Sequence, residues 1–80
     1  MLTQYIQAAM NRAAYELLDD QTFYGEIPVC PGVYANARTL EVCRAELQAV
    51  LEGWIILGLS RGDEFPAIDQ FTLDVHQTAA

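Results

Sequence analysis

Few side chains in this sequence are of the types that catalyse reactions or bind metal ions. The single histidine, His76, lies near the end of the chain, and catalysis requires a nucleophile, a base and an orienting group that converge. The acidic pairs Asp19-Asp20 and Asp63-Glu64 could chelate a divalent cation, but neither belongs to an Asp-x-Asp-x-Asp-Gly loop. We therefore interpret these acids as solvated turn residues and expect no enzymatic activity, no metal and no cofactor.

The two cysteines, Cys30 and Cys43, do not form a metal-binding pattern. They are far apart in the sequence and no second cysteine pair accompanies them, so a zinc site is not indicated. We expect free, half-buried thiols in a reducing cytosol. The N-terminal residues lack the pattern of a signal peptide, and the apolar run at residues 54–59 is too short to cross a membrane. The sequence thus predicts a cytoplasmic protein that does not contact a membrane.

The charge of the chain indicates which partners it can bind. It has 11 acidic residues against four arginines and no lysine, which gives a formal net charge of -7. Proteins that bind nucleic acid draw much of their affinity from cations that neutralise phosphates, so direct contact with DNA or RNA is disfavoured. An acidic surface instead steers encounter with a basic protein. The same charge can also serve solubility alone.

The size and hydrophobicity of the chain bear on its assembly. We expect its 80 residues to make one domain, 1–80, because so short a chain cannot support two cores. Hydrophobic residues make up 52% of the sequence, which is more than a small monomer easily hides. We therefore expect a homo-oligomer, either a dimer or a tetramer.

The first half of the chain predicts a helix followed by a small sheet. Apolar residues recur at helical spacing over about 2–13, which predicts an amphipathic helix. Apolar and polar residues then alternate from about residue 14 in two strands, which the acidic turn at residues 19–21 separates. A proline ends the second strand because it cannot donate to the strand ladder, and a Pro-Gly turn leads to a third strand at about 33–36.

A long helix is predicted from Leu40, with Thr39 as its N-cap. Its predicted buried face follows three- and four-residue steps and consists of Leu40, Cys43, Leu47, Val50, Leu51, Trp54 and Leu57. Towards the end of the helix, apolar residues extend most of the way round, and one small sheet cannot cover them all. The candidates for self-association there are Trp54, Ile55, Ile56 and Leu59. Trp54 could anchor a protein interface, but we favour a place in the core or in a homodimer contact, because its neighbours are uniformly aliphatic.

A final strand is predicted at residues 71–75, where Phe71, Leu73 and Val75 alternate with polar residues, and residues 76–80 are predicted to be a frayed tail. The predicted fold class is therefore α+β. It consists of a helix, a three-stranded antiparallel sheet, a long helix that crosses back over one face of the sheet, and the final strand. The core of this domain is expected at about 14–75.

The run YGEIPVCPGVYANARTLEVCRAELQAVLEGWI combines several elements in a fixed order. They are an aromatic-rich strand, an I-P-x-x-P-G turn, a short strand, a threonine-capped helix start and a long helix that ends in a tryptophan-bearing apolar stretch. In this order they resemble the HicB-like antitoxin family. The residues in register with the family signature are Tyr24, Ile27, Pro28, Pro31, Gly32, Ala35, Thr39, Leu47, Ala49 and Trp54.

The resemblance implies a fold like a fragment of a ribonuclease H domain without its catalytic carboxylates. It also implies that the protein binds and blocks a small basic HicA-type toxin that cleaves messenger RNA, by covering the toxin's RNA-binding surface. The alternative is an orphan HicB-like homo-oligomeric binding module that has no toxin partner and no catalytic activity.

The candidate toxin-facing residues lie on or beside the predicted hairpin and form an acidic set with one tyrosine: Glu16, Asp19, Asp20, Tyr24 and Glu26. A solvated surface without a partner is the alternative interpretation of these acids. Tyr24 and Tyr34, beside the Pro-Gly turn, belong to a possible recognition surface, and their alternation with Phe23, Gly25 and Val33 leaves their direction open.

Three features depart from the family pattern. Many members carry a C-terminal DNA-binding module, and no such pattern follows Val75, so autoregulation by DNA binding is not expected of this chain alone. Ala37 replaces a frequent glycine, and Val42 replaces the acid that would complete a capping box, which leaves Glu41 as the acid of the first helical turn. The N-terminal helix precedes the usual start of the domain, and we expect its apolar face to pack on the sheet or in a dimer interface.

Overall fold

The computed structural model describes residues 2–73. Over that range it contains two helices and three strands, which are α1 (Leu2–Asn11), β1 (Ala14–Leu17), β2 (Phe23–Glu26), β3 (Tyr34–Ala37) and α2 (Leu40–Arg61). The strands form one antiparallel sheet in the order β1-β2-β3. The predicted α+β class is confirmed, as is the order of these five elements. Within residues 2–73, neither helix is long and apolar enough to cross a membrane.

A tight turn joins β1 to β2. The Leu18 N–H donates to the Thr22 carbonyl at 2.8 Å, and the Gln21 N–H donates to the Leu18 carbonyl at 3.0 Å. The Asp20 carboxylate accepts from both the backbone N–H and the hydroxyl of Thr22, at 3.1 and 2.6 Å. These bonds close the turn that the acidic residues predict, and they fix the register of the hairpin.

The connection from β2 to β3 is a second turn, and its apolar side chains are buried in the core. The Ile27 N–H donates to the Val33 carbonyl at 3.1 Å, and the Cys30 N–H donates to the Ile27 carbonyl at 2.9 Å. Gly32 has a φ of 93°, in the left-handed region that favours glycine. Ile27, Cys30 and Val33 are each at most 1% exposed. The proline and glycine residues of this stretch therefore shape a buried turn.

Both ends of α2 are capped by local signals. The Thr39 hydroxyl accepts from the Val42 N–H at 3.1 Å, as its predicted N-cap role requires. At the other end, Gly62 has a left-handed φ of 73°, and the Asp63 N–H donates to the Gly58 carbonyl at 2.9 Å. These caps define a helix of 22 residues.

The core lies between the sheet, α1 and one side of α2. We call that side the α2 inner face; its residues are all buried, and they are Cys43, Leu47, Leu51, Ile55 and Gly58. The predicted stripe was therefore wrong in part. Leu40, Val50 and Leu57 were expected to be buried and are 45%, 38% and 52% exposed, whereas Ile55 is 1% exposed. Because α2 is apolar on several sides, its spacing alone does not show which side the sheet covers.

The apolar face of α1 packs within the chain. Tyr5 is fully buried, its hydroxyl donates to the Pro66 carbonyl at 2.7 Å, and its ring meets Phe65 edge-on with centroids 6.5 Å apart. Arg12, just after α1, forms an ion pair with Asp69. The helix therefore packs mainly against α2 and the loop that follows it, rather than on the sheet or in a dimer interface as the sequence predicted.

The loop after α2 does not lead into the predicted final strand. Phe71 forms an isolated antiparallel bridge with Ile68, through hydrogen bonds of 2.8 and 3.0 Å. Asp69 has a φ of 55°, which turns the chain back on itself between these two residues. The strand prediction is therefore wrong for residues 71–73. Asp74 and Val75, together with His76 and the rest of the predicted tail, lie outside the described residues.

Candidate functional site

The sheet has one covered face and one open face. Side chains alternate along a strand, and those on the covered face pack against α2. Gly25 lies at the centre of the covered face, where an added Cβ would come within 2.9 Å of the Tyr15 ring and 3.2 Å of the Cys43 Sγ. The opposite side chains form what we call the open sheet face, and they are Glu16, Tyr24, Glu26, Tyr34 and Asn36.

The strand register brings two tyrosines together between carboxylates. Tyr24 pairs with Glu16 on one side, and Tyr34 pairs with Glu26 on the neighbouring row. The two tyrosine rings stack with centroids 6.2 Å apart and an interplanar angle of 29°. The Tyr24 hydroxyl donates to Glu26 Oε1 at 3.1 Å. The open sheet face is therefore an aromatic pair with acidic side chains on both sides.

A chain of hydrogen bonds ties this face to the β1–β2 turn. The Asn36 side-chain amide donates to the Thr22 hydroxyl and to the Phe23 carbonyl, both at 2.9 Å. The Thr22 hydroxyl donates in turn to the Asp20 carboxylate. This bond, together with the one from the Thr22 backbone N–H, lowers the pKa of Asp20. Asp20 therefore remains an anion at the turn end of the open sheet face.

The phenol of Tyr24 stays protonated at neutral pH. Desolvation among the neighbouring side chains raises its pKa, and the hydrogen bond to Glu26 acts in the same direction. The negative charge of the face therefore resides on its carboxylates, while the rings present their π faces. An arginine or lysine side chain fits both features, since cations bind over aromatic rings and form charge-assisted hydrogen bonds with carboxylates.

The structure groups the predicted toxin-facing residues in two places. Glu16, Tyr24 and Glu26 lie together on the open sheet face, whereas Asp19 and Asp20 lie in the turn at its end. All four carboxylates are exposed. The hydrogen bonds of Asn36 with Thr22 and of Thr22 with Asp20 link these two places.

Two further residues belong to the same surface. Tyr34, whose direction the sequence left open, is 59% exposed and points away from α2. Asn36 was missed, although its position two residues after Tyr34 on the same strand is a signal that could have found it.

The family-motif residues have structural positions. Ile27 is buried in the β2–β3 turn, Gly32 supplies its left-handed residue, and Thr39 caps α2. Pro28 and Pro31 are exposed at the same turn. Their placement shows that this part of the motif shapes the chain behind the open sheet face.

The four residues predicted for self-association do not share one environment. Ile55 belongs to the core and is not available to a partner. Trp54 is half-buried, and its ring packs edge-on against Phe65 with centroids 5.4 Å apart. Ile56 and Leu59 remain open, at 67% and 40% exposed.

A groove between α1 and α2 is a further concave feature of the surface. It measures about 470 Å³ and is mostly polar, with Arg44, Gln48 and Glu52 on its α2 side. Its α1 side contributes Thr3, Gln7 and Asn11. In the part of the chain that the structure describes, no group of three or more histidine, cysteine, aspartate or glutamate residues is placed to hold a metal ion.

The two thiols are buried more completely than the sequence suggested. Cys30 and Cys43 are both free and 0% exposed. Burial raises the pKa of Cys30 to about 11, and it also raises the pKa of Cys43. Because the thiolate is the reactive form, both residues act as small core side chains.

Comparison with known proteins places the chain in a family. Residues 4–66 match the UPF0150-like family. Among solved structures, the crystal structure of TTHA0281 from Thermus thermophilus is similar, with 46% sequence identity over 91% of this chain and 91% of that chain and a TM-score of 0.87. No curated protein matches the sequence. The family match covers the open sheet face and the whole of α2, and the chain therefore belongs to the UPF0150-like family.

Proposed function

We propose that this protein is a HicB-like antitoxin that neutralises a small basic HicA-type toxin through the open sheet face. The observation that carries the proposal is the stacked pair of Tyr24 and Tyr34 between the carboxylates of Glu16 and Glu26, on a sheet face that no part of residues 2–73 covers. Membership of the UPF0150-like family supports it, because the central motif of this chain resembles the HicB-like antitoxins.

The proposed mechanism is competition for the toxin's cations. A toxin that binds RNA presents arginine and lysine side chains to the phosphates. The open sheet face offers those side chains carboxylates and aromatic rings in place of phosphates. A toxin bound in this way has its RNA-binding surface covered and its catalytic histidine hidden, so inhibition requires no chemical step on either protein.

The overall charge assists the same step. A net charge of -7 attracts a basic toxin over a distance of about one Debye length, roughly 8 Å at physiological salt. The association rate should therefore fall as salt is added. A partner held mainly by apolar contacts would show the opposite trend or none.

A second candidate function is that of an orphan binding module with no toxin. The apolar residues left open on α2, led by Ile56 at 67% exposed, favour it because they fit an assembly role that needs no basic partner. Both candidates act by binding rather than by catalysis.

The test is co-expression of this chain with a small basic protein encoded beside it. We expect the two proteins to co-purify, and we expect cell growth and messenger RNA to survive only when both are made. The double variant Glu16→Lys/Glu26→Lys should weaken the complex by about 100-fold or more, because each change places a like charge against the toxin. Binding is measured by calorimetry at two salt concentrations.

The matched control is Asp63→Lys/Glu64→Lys, which makes the same change of net charge in the loop after α2. We expect it to keep the affinity within about threefold, since exposed charges far from an interface act mainly through the overall field. An equal loss of affinity in both double variants would show that only net charge matters. If the wild-type protein forms no complex, the toxin proposal fails and the orphan module stands.

A further inference from the structure

The side of α2 that points away from the sheet is apolar and uncovered. A row of mostly small residues runs along it at three- and four-residue steps, with two larger residues beside the row. We call this set the α2 outer face, and it consists of Val42, Ala45, Ala49, Val50, Gly53, Ile56 and Leu57. Val42, Ile56 and Leu57 are 47%, 67% and 52% exposed. An amphipathic helix of a monomer would carry polar residues on this side.

We propose that the α2 outer face binds a second copy of this chain, with the two α2 helices antiparallel about a two-fold axis near Ala49 and Gly53. This inference does not depend on the toxin proposal, because it concerns the opposite side of the molecule.

The exposed apolar area is large enough for such a contact. The large side chains of the outer face, together with Leu59, expose on the order of 400 Å² of apolar surface, within the range of the largest patch on a typical monomer. The face continues into an apolar groove of about 260 Å³ between the two helices, which Leu2, Ile6 and Leu59 help to line. A specific dimer buries roughly 600–1,000 Å² per subunit, so the groove and the small residues must supply the remainder of the contact.

The shape of the face favours a second copy over an unrelated partner. After Val42 its N-terminal half is small, with Ala45 and Ala49, and its C-terminal half is bulky, with Ile56 and Leu57. In an antiparallel pair the bulky half of each helix lies over the small half of the other, which is the self-complementarity that a two-fold interface requires. Gly53 lies near the centre, where the absence of a side chain lets the two backbones approach.

The charges on this side also distinguish a second copy of this chain from a basic toxin as the partner. The charged residues nearest to the outer face are both acidic: Glu46 lies on the face itself, one turn from Val42 and from Val50, and Glu52 lies at its edge. Each subunit has a net charge of -7. Two copies therefore repel at long range and are held by apolar contact. Added salt should strengthen the dimer by screening this repulsion, whereas it should weaken a complex with a basic toxin.

The open sheet face and the α2 outer face lie on opposite sides of the fold, so each can bind a partner without blocking the other. The open sheet face lies on one side of the sheet, and α2 with its outer face lies on the other side. A dimer formed through α2 therefore leaves both open sheet faces pointing away from the contact. Each dimer can then hold two partners, one on each sheet.

The first measurement is the mass of the wild-type chain by light scattering during size-exclusion chromatography. One subunit has a mass of 8.9 kDa, and we expect about twice that mass at protein concentrations that are well above a micromolar dissociation constant. The dimer fraction should rise when salt is increased from low to about 0.5 M. A wild-type chain that stays monomeric at about 100 µM in both salts would overturn the proposal.

Two variants and a control locate the contact. Ala49→Arg places a long cation at the centre of the outer face, and Ile56→Glu places a carboxylate in its bulky half. Each should raise the dimer dissociation constant by about 100-fold or more, since burying a charge is costly and, at Ala49, the long side chain keeps the two helices apart. Circular dichroism checks that each variant folds, and the second variant serves if the first does not.

The control is Leu40→Glu, which removes a side chain of similar size and exposure, 45%, from the first turn of α2 but off the outer face. An acid is favourable at that end of a helix, so this variant should fold and dimerise like the wild type. A dimer that survives in both Ala49→Arg and Ile56→Glu, or one that Leu40→Glu disrupts equally, would show that the contact lies elsewhere.

Discussion

The two sides of α2 have similar residues in different environments. On the inner face, Leu47 and Leu51 are fully buried beneath the sheet, while on the outer face Ile56 and Leu57 are 67% and 52% exposed. The helix itself does not distinguish them, because aliphatic residues occur on both sides. The sheet is what makes one side the core. An apolar helix surface therefore indicates burial. The surrounding elements determine whether the same chain or a second molecule covers that surface.

The two glycines of α2 show the same contrast at the scale of one atom. On the inner face, a Cβ added to Gly58 would lie 2.6 Å from Phe65 Cζ. On the outer face, a Cβ added to Gly53 would meet nothing within 4 Å. The first glycine is required by a close contact within the chain, and the second has no such reason in the monomer.

The largest expected effect comes from opening the inner face. Leu47→Ala should lower the free energy of unfolding by about 2–5 kcal/mol, because it leaves a cavity beneath the sheet. The matched outer-face change, Leu57→Ala, should cost less than about 0.5 kcal/mol. Both are measured by urea unfolding in the Ala49→Arg background, which removes any contribution from association. Similar costs at the two positions would contradict the division into inner and outer faces.

Alkaline pH should lower the free energy of unfolding through the core, because a thiol is buried there, and the outer face should not contribute to this loss. The folded chain raises the pKa of Cys30 from 9.0 to about 11, so the unfolded state loses its proton first. The stabilisation is fully present below about pH 9 and is lost as the pH rises through about 11, and it amounts to about 2–3 kcal/mol for this thiol. Unfolding is measured by urea between pH 8 and 11.

The control for this effect is Cys30→Ala, which should show a shallower fall over the same range. Tyr5, whose pKa is raised to about 12, adds a further loss in both proteins. If the variant and the wild type lost stability in parallel, the burial of Cys30 would not be the cause.

A methyl group on the inner glycine tests the close contact with Phe65. Gly58→Ala should lower the free energy of unfolding by about 1–3 kcal/mol, because the phenylalanine ring must move away from the helix. The double variant Gly58→Ala/Phe65→Leu should recover part of this loss, since the smaller side chain leaves room for the methyl. A neutral Gly58→Ala would mean that the loop adjusts freely.

Apart from the Leu57→Ala control, the smallest effect is expected for a methyl group on the outer face, and it has the opposite sign. In the Ala49→Arg background, Gly53→Ala should raise the free energy of unfolding by about 0.5–1 kcal/mol, because alanine restricts the unfolded chain and fits a helix. In the proposed dimer of the wild-type chain the same methyl would lie where the two helices cross, so it should weaken the dimer. Stabilisation of the monomer together with a stronger dimer would place the crossing point elsewhere.

Features with a local cause were the predictable ones. Thr39 as a cap, the acidic turn before β2 and the Pro-Gly turn before β3 each depend on a few neighbouring residues, and the structure confirms all three. The buried stripe of α2 was not predictable from spacing, since only the sheet selects it. The alternation after Phe71 is typical of a strand, but the left-handed conformation of Asp69 pairs Phe71 with Ile68 instead.

The candidate site was likewise predictable only in part. The sequence grouped Glu16, Tyr24 and Glu26 on or beside one hairpin, but it did not show that their side chains lie on the same face. The stacking of Tyr24 on Tyr34 depends on the β2–β3 register, which the buried turn between those strands sets. No local pattern in the sequence specifies that register, so the aromatic pair became visible only in the folded chain.

The hydrogen bond from Tyr5 to Pro66 has a consequence for the order of folding. It joins residues 61 positions apart, and the ion pair of Arg12 with Asp69 joins residues 57 positions apart. Such contacts form only after the intervening chain has been closed into a loop, so the hairpin and α2, which rely on near neighbours, should form earlier. We expect α1 to dock last and to open first, with faster amide hydrogen exchange than β2 or the middle of α2. The helix at the start of the sequence would then be the last element to fold.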